Sequence, residues 1–541
     1  MKIRSDILRI YQSVHTWTGI TTGLVLFIAF FAGALTMFQT PITQWAIPAT
    51  QTLPQVSLEE KDTLIQLAAK EHEKVKNGFT INLDEHLSPM SWYEQGGGRG
   101  LRLQDEVRHA SLDENGNLIT LKTEQNVLGD LIDWLHRTAG IPGKAGHEDL
   151  GVVILGVASA LYFVALVSGV IFLLPTLVKH FFALRQKKGA NRFWLDTHNL
   201  LGITSLPFHL IIAWTVVVFA FHDVMYDGLS VVYGDEPMFG RMPSSSQTHT
   251  IDTLPPISSY LDKVAETTDG YTVSSLTFSK LEGPGASVRI NIVGDGKMQR
   301  AAESDIISMD PYTTDILYST LSTDENGTYG ALVTSFFSLH FGNFANDAGR
   351  WIYFVLGLMG AVLFYTGNLL WLEKRRKKQG AQARNTRVMA NLTVGVCLGS
   401  VLGVAVCLLS SKWLYLFNHS INQKYLTIYY GVFFLSIAYS FWKGAALSAI
   451  RLQYALAISC IGVPVTSLIV ALFANTETWT ITTPAAMGVE MGAVVFALLF
   501  YYGARKTAKR AYHGDANSIW ALRTNTETPL AGSNITPSNV R

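Results

Sequence analysis

Four histidines occupy matching positions in two copies of a repeated segment, and they are the residues best placed to do chemistry. His15 opens the stretch His-Thr-Trp-Thr-Gly-Ile-Thr, and His198 opens His-Asn-Leu-Leu-Gly-Ile-Thr. Both stretches follow the pattern H-x-x-x-G-I-T and lie where a long apolar segment begins. His136 and His340 each follow a leucine and precede the next apolar segment. Each copy therefore carries two histidines, one near each end of its apolar segments.

An imidazole side chain at membrane depth is a candidate functional group, because ionisable residues are energetically costly in a bilayer and are rare there without a function. Neutral imidazole is a common ligand of haem iron, and two facing imidazoles favour electron transfer over oxygen binding. Gly19 lies four residues after His15 and hence one helical turn away on the same face. Gly202 has the same position after His198, so both glycines would leave room for a flat macrocycle. The alternative is a set of helix-end histidines that hydrogen-bond to headgroups or carbonyls; the repeat favours haem ligation.

His209 is a further candidate on the segment that begins at His198. On a straight helix it would lie about 16 Å further along and on nearly the same face. Pro207, just before it, can open the helix there. Three roles stay open for His209: it replaces one of the four ligands, binds a further haem, or hydrogen-bonds to a neighbouring helix. His222 ends the same segment on another face, where ligation is the weaker interpretation.

The composition indicates which environment positions these histidines. Of 541 residues, 48% are hydrophobic and 15% are charged, whereas ordinary soluble domains have roughly 25% charged residues. Much of the chain is therefore expected to lie in lipid. A net charge of +1 argues against a nucleic-acid partner. The three cysteines form no C-x-x-C motif, which argues against iron–sulfur clusters and c-type haem attachment.

Eight apolar stretches are long enough to cross a bilayer. They are Thr18–Phe38, Leu150–Leu174, Leu200–Phe221, Trp351–Leu372, Val388–Leu409, Leu426–Trp442, Leu452–Phe473 and Pro484–Tyr502. If each crosses once, all clusters of Lys and Arg outside the spans fall on one side. The positive-inside rule then predicts that both termini are cytoplasmic.

The spans divide the chain into seven parts. They are the N-terminus with the first span (1–38), an outside module (39–149), the second and third spans (150–221), a second outside module (222–350), the fourth span with a loop (351–378), a four-span extension (379–510) and a polar tail (511–541). The order span, module, span occurs twice in the same direction. Inverted repeats are frequent in secondary transporters, so this parallel repeat argues against a transporter without excluding one.

Each outside module is predicted to be a small α+β unit. Helices are expected at Ser57–Lys76, where Ser57 and Glu60 form a capping box, and at Ile257–Thr267. Strands are expected at Gly100–Leu103, Val107–Leu112, Leu118–Leu121, Ser274–Phe278, Val288–Val293 and Ile306–Met309. The modules contain no pattern that indicates a catalytic carboxylate pair.

Several of these motifs resemble the PepSY-associated transmembrane family, over about residues 1–378. They are His15-x-Trp-x-Gly19, Leu135-His136-Arg137, Asp196-x-His198-Asn-Leu-x-Gly202, Leu206-Pro-Phe-His209, and Leu339-His340 with Gly349-Arg350-Trp351. The outside modules are similar to PepSY domains in their hairpins at Leu112–Leu118 and Met309–Pro311. The resemblance implies an iron-regulated inner-membrane protein of Gram-negative bacteria. Some members of the family are di-haem ferrisiderophore reductases that release iron in the periplasm.

We therefore expect an integral, mainly α-helical membrane protein with about eight transmembrane helices and two periplasmic α+β modules in a tandem repeat. The resemblance implies two b haems with four axial ligands, His15, His136, His198 and His340. From depth alone, His15 is expected to pair with His198 on the cytoplasmic side, where electrons enter. His136 would then pair with His340 at the periplasmic side, where electrons leave.

The expected partners are the lipid bilayer, a ferric siderophore or other ferric chelate as substrate, and an electron donor. Since no flavin or nicotinamide domain is evident, the donor would be membrane quinol or a separate reductase. Two other functions stay open. One is a transporter of iron chelates, and the other is a non-enzymatic sensor or protease regulator, because PepSY modules also occur in peptidase propeptides.

Overall fold

The computed structural model describes most of the chain. The described residues are 4–48, 53–84, 87–98, 100–177, 185, 190–233, 249–294, 296–301, 304–322, 330–376, 381–417, 421–473 and 484–522. Most of the predicted polar tail, residues 523–541, lies outside them, as do residues 234–248 and 323–329 of the second module.

Fifteen α-helices are present in the described part of the chain. In chain order they are α1 (Ser5–Thr36), α2 (Gln39–Ala46), α3 (Leu58–Glu71), α4 (Leu128–Thr138), α5 (Leu150–Leu173), α6 (Ala190–Thr204), α7 (Leu206–Ala220), α8 (His222–Tyr233), α9 (Ile257–Thr267), α10 (Gly330–Phe341), α11 (Asn346–Lys374), α12 (Arg384–Phe417), α13 (Ile421–Lys443), α14 (Ala445–Phe473) and α15 (Pro484–His513). Seven of them are long and apolar enough to cross a membrane, namely α1, α5 and α11 to α15. The pair α6 and α7 makes an eighth candidate, so the predicted membrane architecture is confirmed.

The third span differs from the straight helix that the sequence suggested. Its two halves, α6 and α7, meet at Ser205 with a bend of 69°. Pro207 lies in the first turn of α7, where its missing N–H breaks no helical hydrogen bond. His198 and His209 lie on opposite sides of this bend, so the straight-helix spacing of about 16 Å does not apply to them.

The two outside modules share a single antiparallel sheet. Its strands are β1 (Gly78–Asn82), β2 (Met90–Gln95), β3 (Glu106–Leu112), β4 (Leu118–Glu124), β7 (Thr272–Ser279), β8 (Ser287–Val293), β9 (Asp305–Met309) and β10 (Ile316–Ser319), in the order β10-β9-β8-β7-β1-β2-β3-β4. A separate two-stranded ribbon contains β5 (Lys144–Ala145) and β6 (Glu148–Asp149). The modules join where β1 pairs with β7 and Phe79 stacks on Phe278. This pairing covers two edges that separate modules would expose.

Most predicted elements of the modules match the structure, with one clear exception. Residues 100–103, predicted as a strand, form no strand, and β2 begins ten residues earlier at Met90. Gly100 has a φ of +93°, which is unsuited to an extended strand. Leu101 and Leu103 pack against the core of the helical bundle, so their apolar character reflects docking of the sheet and not pairing within it.

The sheet is anchored to one end of the helical bundle, which we call the sheet side. Asn422 of α13 donates to the Gln125 carbonyl at 2.7 Å and accepts from the Val127 N–H at 3.2 Å. Asn126 donates to the Tyr415 hydroxyl of α12 at 3.0 Å. These contacts fix the start of α4, the helix that carries His136. Helices α12 and α13 therefore help to position α4 and its His136.

A buried ion pair links these last helices to α2. Lys412 of α12 lies 3.3 Å from Oε1 of Glu490 on α15, and both side chains are less than a tenth exposed. The Trp45 indole of α2 donates to the same Oε1 at 2.7 Å, and Lys412 lies over its ring. Ser467 of α14 hydrogen-bonds to both charged groups. Four helices thus converge on one buried charge pair.

We expect replacement of one partner of the ion pair to cost much stability, and replacement of both partners to cost much less. Lys412→Met leaves a buried carboxylate without its cation, which costs about 3–5 kcal/mol of stability in comparable pairs. The double variant Lys412→Met/Glu490→Gln removes both charges and should recover a large part of that loss. Thermal melting of the purified proteins checks this, and a double variant that is no more stable than Lys412→Met would contradict it.

Candidate functional site

The structure brings the four repeated histidines together as two facing pairs. The rings of His15 and His198 have centroids 6.2 Å apart, and those of His136 and His340 are 6.0 Å apart. Imidazole nitrogen binds first-row metal ions at about 2 Å, so two axial imidazoles on one ion have ring centroids about 6 Å apart. Both pairs therefore have the separation that a shared iron ion needs. Each pair takes one histidine from each copy of the repeat.

Each ring of the first pair is oriented by a hydrogen bond at Nδ1. His15 Nδ1 lies 2.8 Å from the carbonyl oxygen of Ala165 on α5, to which it donates. His198 Nδ1 lies 3.2 Å from the Thr366 hydroxyl on α11. That hydroxyl donates its own proton to the Leu363 carbonyl and so accepts from the imidazole. Both rings therefore carry the proton on Nδ1 and keep the Nε2 lone pair for a ligand.

The second pair follows the same design. His136 Nδ1 donates to the carbonyl oxygen of Ala29 on α1 at 2.9 Å. His340 Nδ1 lies 2.8 Å from the Thr215 hydroxyl on α7, which donates to the Ile211 carbonyl. In both copies each histidine is anchored by a span of its own copy, and it pairs with a histidine of the other copy. The chemistry and orientation of this donor set fit two bis-imidazole haem sites.

Three glycines that the sequence reasoning did not assign make room for the rings. A Cβ on Gly33 would lie 2.5 Å from His136 Nδ1, and one on Gly169 would lie 2.9 Å from His15 Nδ1. A Cβ on Gly367 would approach His198 Cε1 to 3.4 Å. The match between Ser168-Gly169 and Thr366-Gly367 in the two copies was the signal available in the sequence.

The two glycines named from the sequence have a different environment. A Cβ on Gly19 would meet nothing within 4 Å, and one on Gly202 would meet only a methyl group of Leu363 at 3.6 Å. Both positions therefore border open space, and neither touches a histidine ring in the part of the chain that the structure describes.

A cavity of about 710 Å³ surrounds the second pair on the sheet side. His136 and His340 line it, together with apolar side chains such as Phe30, Phe208 and Phe219. This volume lies within the usual range of about 300–1,000 Å³ for cofactor and ligand pockets. An apolar wall with two imidazoles suits a large, flat and largely hydrophobic group that contains a metal ion.

His209 lies apart from both pairs, in an aromatic cluster at the start of α7. The side chain is fully buried, and neither ring nitrogen has a hydrogen-bond partner among the described residues. Its ring packs on Phe30 and Tyr162, with centroid distances of 5.6 and 6.0 Å. The hydroxyl of Tyr162 is likewise without a partner within the described ranges. Among the described residues no histidine lies opposite His209, and its role as a further ligand stays a prediction.

Asp130 of α4, about one and a half turns before His136, has an unusual pKa. Burial, and secondly the carboxylate of Asp133, raise the pKa of Asp130 to about 6. The Gln39 amide, which donates to Asp130 at 3.0 Å, and the more distant Arg137 oppose this shift. Asp105 adds a small contribution in the same direction as Asp133.

Asp130→Asn should therefore stabilise the protein at neutral pH and not at acidic pH. The raised pKa means that the folded state binds this proton more tightly than the unfolded state. Ionisation then lowers stability as pH rises from about 4 to about 6, and the loss is complete above that range. Melting temperatures should favour the variant at about pH 8, with the difference closing towards about pH 4. A pH-independent difference would contradict this assignment.

Comparison with known proteins agrees with the architecture. The family model of the PepSY-associated TM region matches residues 12–374, which include both histidine pairs, the shared sheet and every helix through α11. No curated protein matches this chain. The matched region covers two thirds of the sequence and excludes the last four helices. This multi-pass membrane protein belongs to the PepSY-associated transmembrane family.

Proposed function

We propose that this protein is a haem b-containing oxidoreductase of the bacterial inner membrane that reduces ferric iron or ferric siderophores in the periplasm. The proposal rests on the two histidine pairs. The ring centroids are 6.2 Å apart in one pair and 6.0 Å apart in the other, and every Nδ1 makes a hydrogen bond. Two pairs at this spacing, with each ring held through Nδ1, match the requirement for two iron centres.

The protein residues hold, orient and enclose the cofactor. Nε2 of His15 and His198 would bind one iron ion, and Nε2 of His136 and His340 would bind the other. Haem supplies one-electron chemistry, because its iron exchanges between the ferric and ferrous states. The anchoring oxygens of Ala165, Thr366, Ala29 and Thr215 keep each ring turned to its partner. Two imidazoles on each iron ion would leave no ligand position for dioxygen.

The direction of electron flow follows from the proposed orientation. The basic residues at the C-terminal ends of α11 and α15, which include Lys374, Arg375 and Arg510, lie at the end of the bundle away from the sheet, and by the positive-inside rule that end would be cytoplasmic. Electrons from membrane quinol or a separate reductase would enter near His15 and His198. They would leave near His136 and His340 on the periplasmic side. Reduction weakens the hold of an oxygen-donor chelate on iron, so the metal is released.

The test is a single-turnover reaction of the purified, haem-loaded protein. We expect the reduced protein, mixed anaerobically with a ferric siderophore, to be reoxidised and to yield Fe(II), which ferrozine traps. One Fe(II) should appear for each haem reoxidised. The gallium(III) complex of the same siderophore is the matched control, because it has the same size and charge and cannot accept the electron. Reoxidation with gallium, or none with iron, would contradict the proposal.

A further inference from the structure

Three side chains with metal-binding groups meet at the sheet-side mouth of the cavity. Glu148 comes from β6, and His222 and Asp223 open α8. One ligand atom from each lies within 4.8 Å of the other two. Among the residues that the structure describes, this is the one group of three or more His, Cys, Asp or Glu side chains with that geometry.

The imidazole of His222 is oriented in the way that metal ligands usually are. Its Nδ1 lies 2.8 Å from the Phe219 carbonyl oxygen and donates to it. Nε2 is thereby turned towards the carboxylates and lies 3.1 Å from Asp223 Oδ1. With the proton on Nδ1, Nε2 presents a lone pair to an anionic oxygen, an arrangement that a metal ion bound to both atoms stabilises. A backbone carbonyl on Nδ1 is the usual outer partner of a metal-bound histidine.

We propose that Glu148, His222 and Asp223 form a binding site for a divalent first-row metal ion. One imidazole and two carboxylates suit ions such as Fe(II), Mn(II) and Zn(II), and three protein ligands leave coordination positions open for water or an incoming ligand. Glu148 and His222 are partly buried and Asp223 is exposed, so an ion reaches the site from solvent. A site of this kind exchanges its metal instead of holding it permanently.

The position of the site suggests what it does. Glu148 and His222 line the same cavity as His136 and His340. If the proposed reductase function holds, this site takes the Fe(II) released next to the second histidine pair and keeps it from rebinding the chelator. The assignment of Fe(II) as the natural ion rests on that function. The existence of a divalent-metal site does not.

The experiment titrates Zn(II) into the full-length, haem-loaded protein in detergent, after removal of any polyhistidine tag and of bound metals. Isothermal titration calorimetry should give one site per chain. Glu148→Gln and Asp223→Asn should each weaken binding by at least about tenfold, as expected for loss of a ligand. Asp149→Asn is the matched control, because Asp149 is the neighbour of Glu148 in β6 and pairs with Lys144 instead. Its Zn(II) affinity should be unchanged.

Each outcome decides the proposal. No saturable Zn(II) binding overturns it, and so does equal affinity in the unmodified protein and all three variants. If Glu148→Gln fails to fold, Asp223→Asn still gives the answer, since that side chain is exposed at the start of α8. Zn(II) binding requires no electron transfer. Failure of this test and failure of ferric reduction are therefore distinguishable.

Discussion

Replacement of His136 by phenylalanine should remove one of the two proposed haems from each chain and abolish most of the proposed ferric reduction. Phenylalanine fills a similar volume and has no lone pair, so His340 would face no second ligand for an iron ion. Loss of a group that only hydrogen-bonds to a metal ligand already lowers metal affinity or activity by about 10- to 100-fold. Loss of a direct ligand should therefore lower the rate by at least about 100-fold. Haem quantitation per chain and Fe(II) trapping measure the two effects.

The matched control for this variant is His147→Phe. His147 is an exposed histidine between β5 and β6 on the same side of the bundle, and it belongs to neither histidine pair. This control should keep both haems and full activity. If His136→Phe also kept its haem, the pairing with His340 would not be a cofactor site. A transporter or a sensor would tolerate both substitutions.

A single methyl group on Gly33 should have nearly the same effect as loss of His136. The Cβ of an alanine at this position would lie 2.5 Å from Nδ1 and 2.7 Å from Cε1 of the His136 ring, which is closer than non-bonded atoms approach. Ala29, whose carbonyl anchors that ring, lies one turn earlier on the same face of α1. The ring must therefore leave both its anchor and its position opposite His340.

Gly33→Ala is expected to lose the proposed haem of the second pair, whereas Gly431→Ala on α13 should keep both. Alanine is more favourable than glycine inside a helix by about 1 kcal/mol, so a loss at Gly33 cannot come from a weaker helix. Nothing lies within 4 Å of a Cβ at Gly431. Haem content and the reduced-minus-oxidised spectrum compare the variants. Equal haem content in both would show that His136 does not need its observed position.

The sequence predicted those features that depend on local pattern. Apolar length identified the spans, and the repeat of His15 and His136 in His198 and His340 identified the residues that the structure pairs across the two copies. The capping box of Ser57 and Glu60 is present as expected. Pro207 marked the place where the third span bends.

Features that depend on contacts between distant segments were not predictable in this way. The pairing of β1 with β7 joins strands almost two hundred residues apart, and either strand alone looks like an ordinary module strand. The groups that hydrogen-bond to the four rings are two backbone carbonyls and two threonine hydroxyls, and neither kind of group is distinctive in a sequence. Lys412 and Glu490 become a buried pair only when α12 and α15 meet. The role of Gly33 likewise depends on where α4 crosses α1.

The most direct test of the central claim is a reduced-minus-oxidised absorption spectrum of the purified full-length protein, combined with haem extraction and quantitation per chain. We predict a reducible b-type spectrum with about two haems per chain, both low-spin, as expected if each iron is bound by two imidazoles. Protein that is folded and contains no reducible haem would contradict the claim that the two histidine pairs are electron-transfer centres.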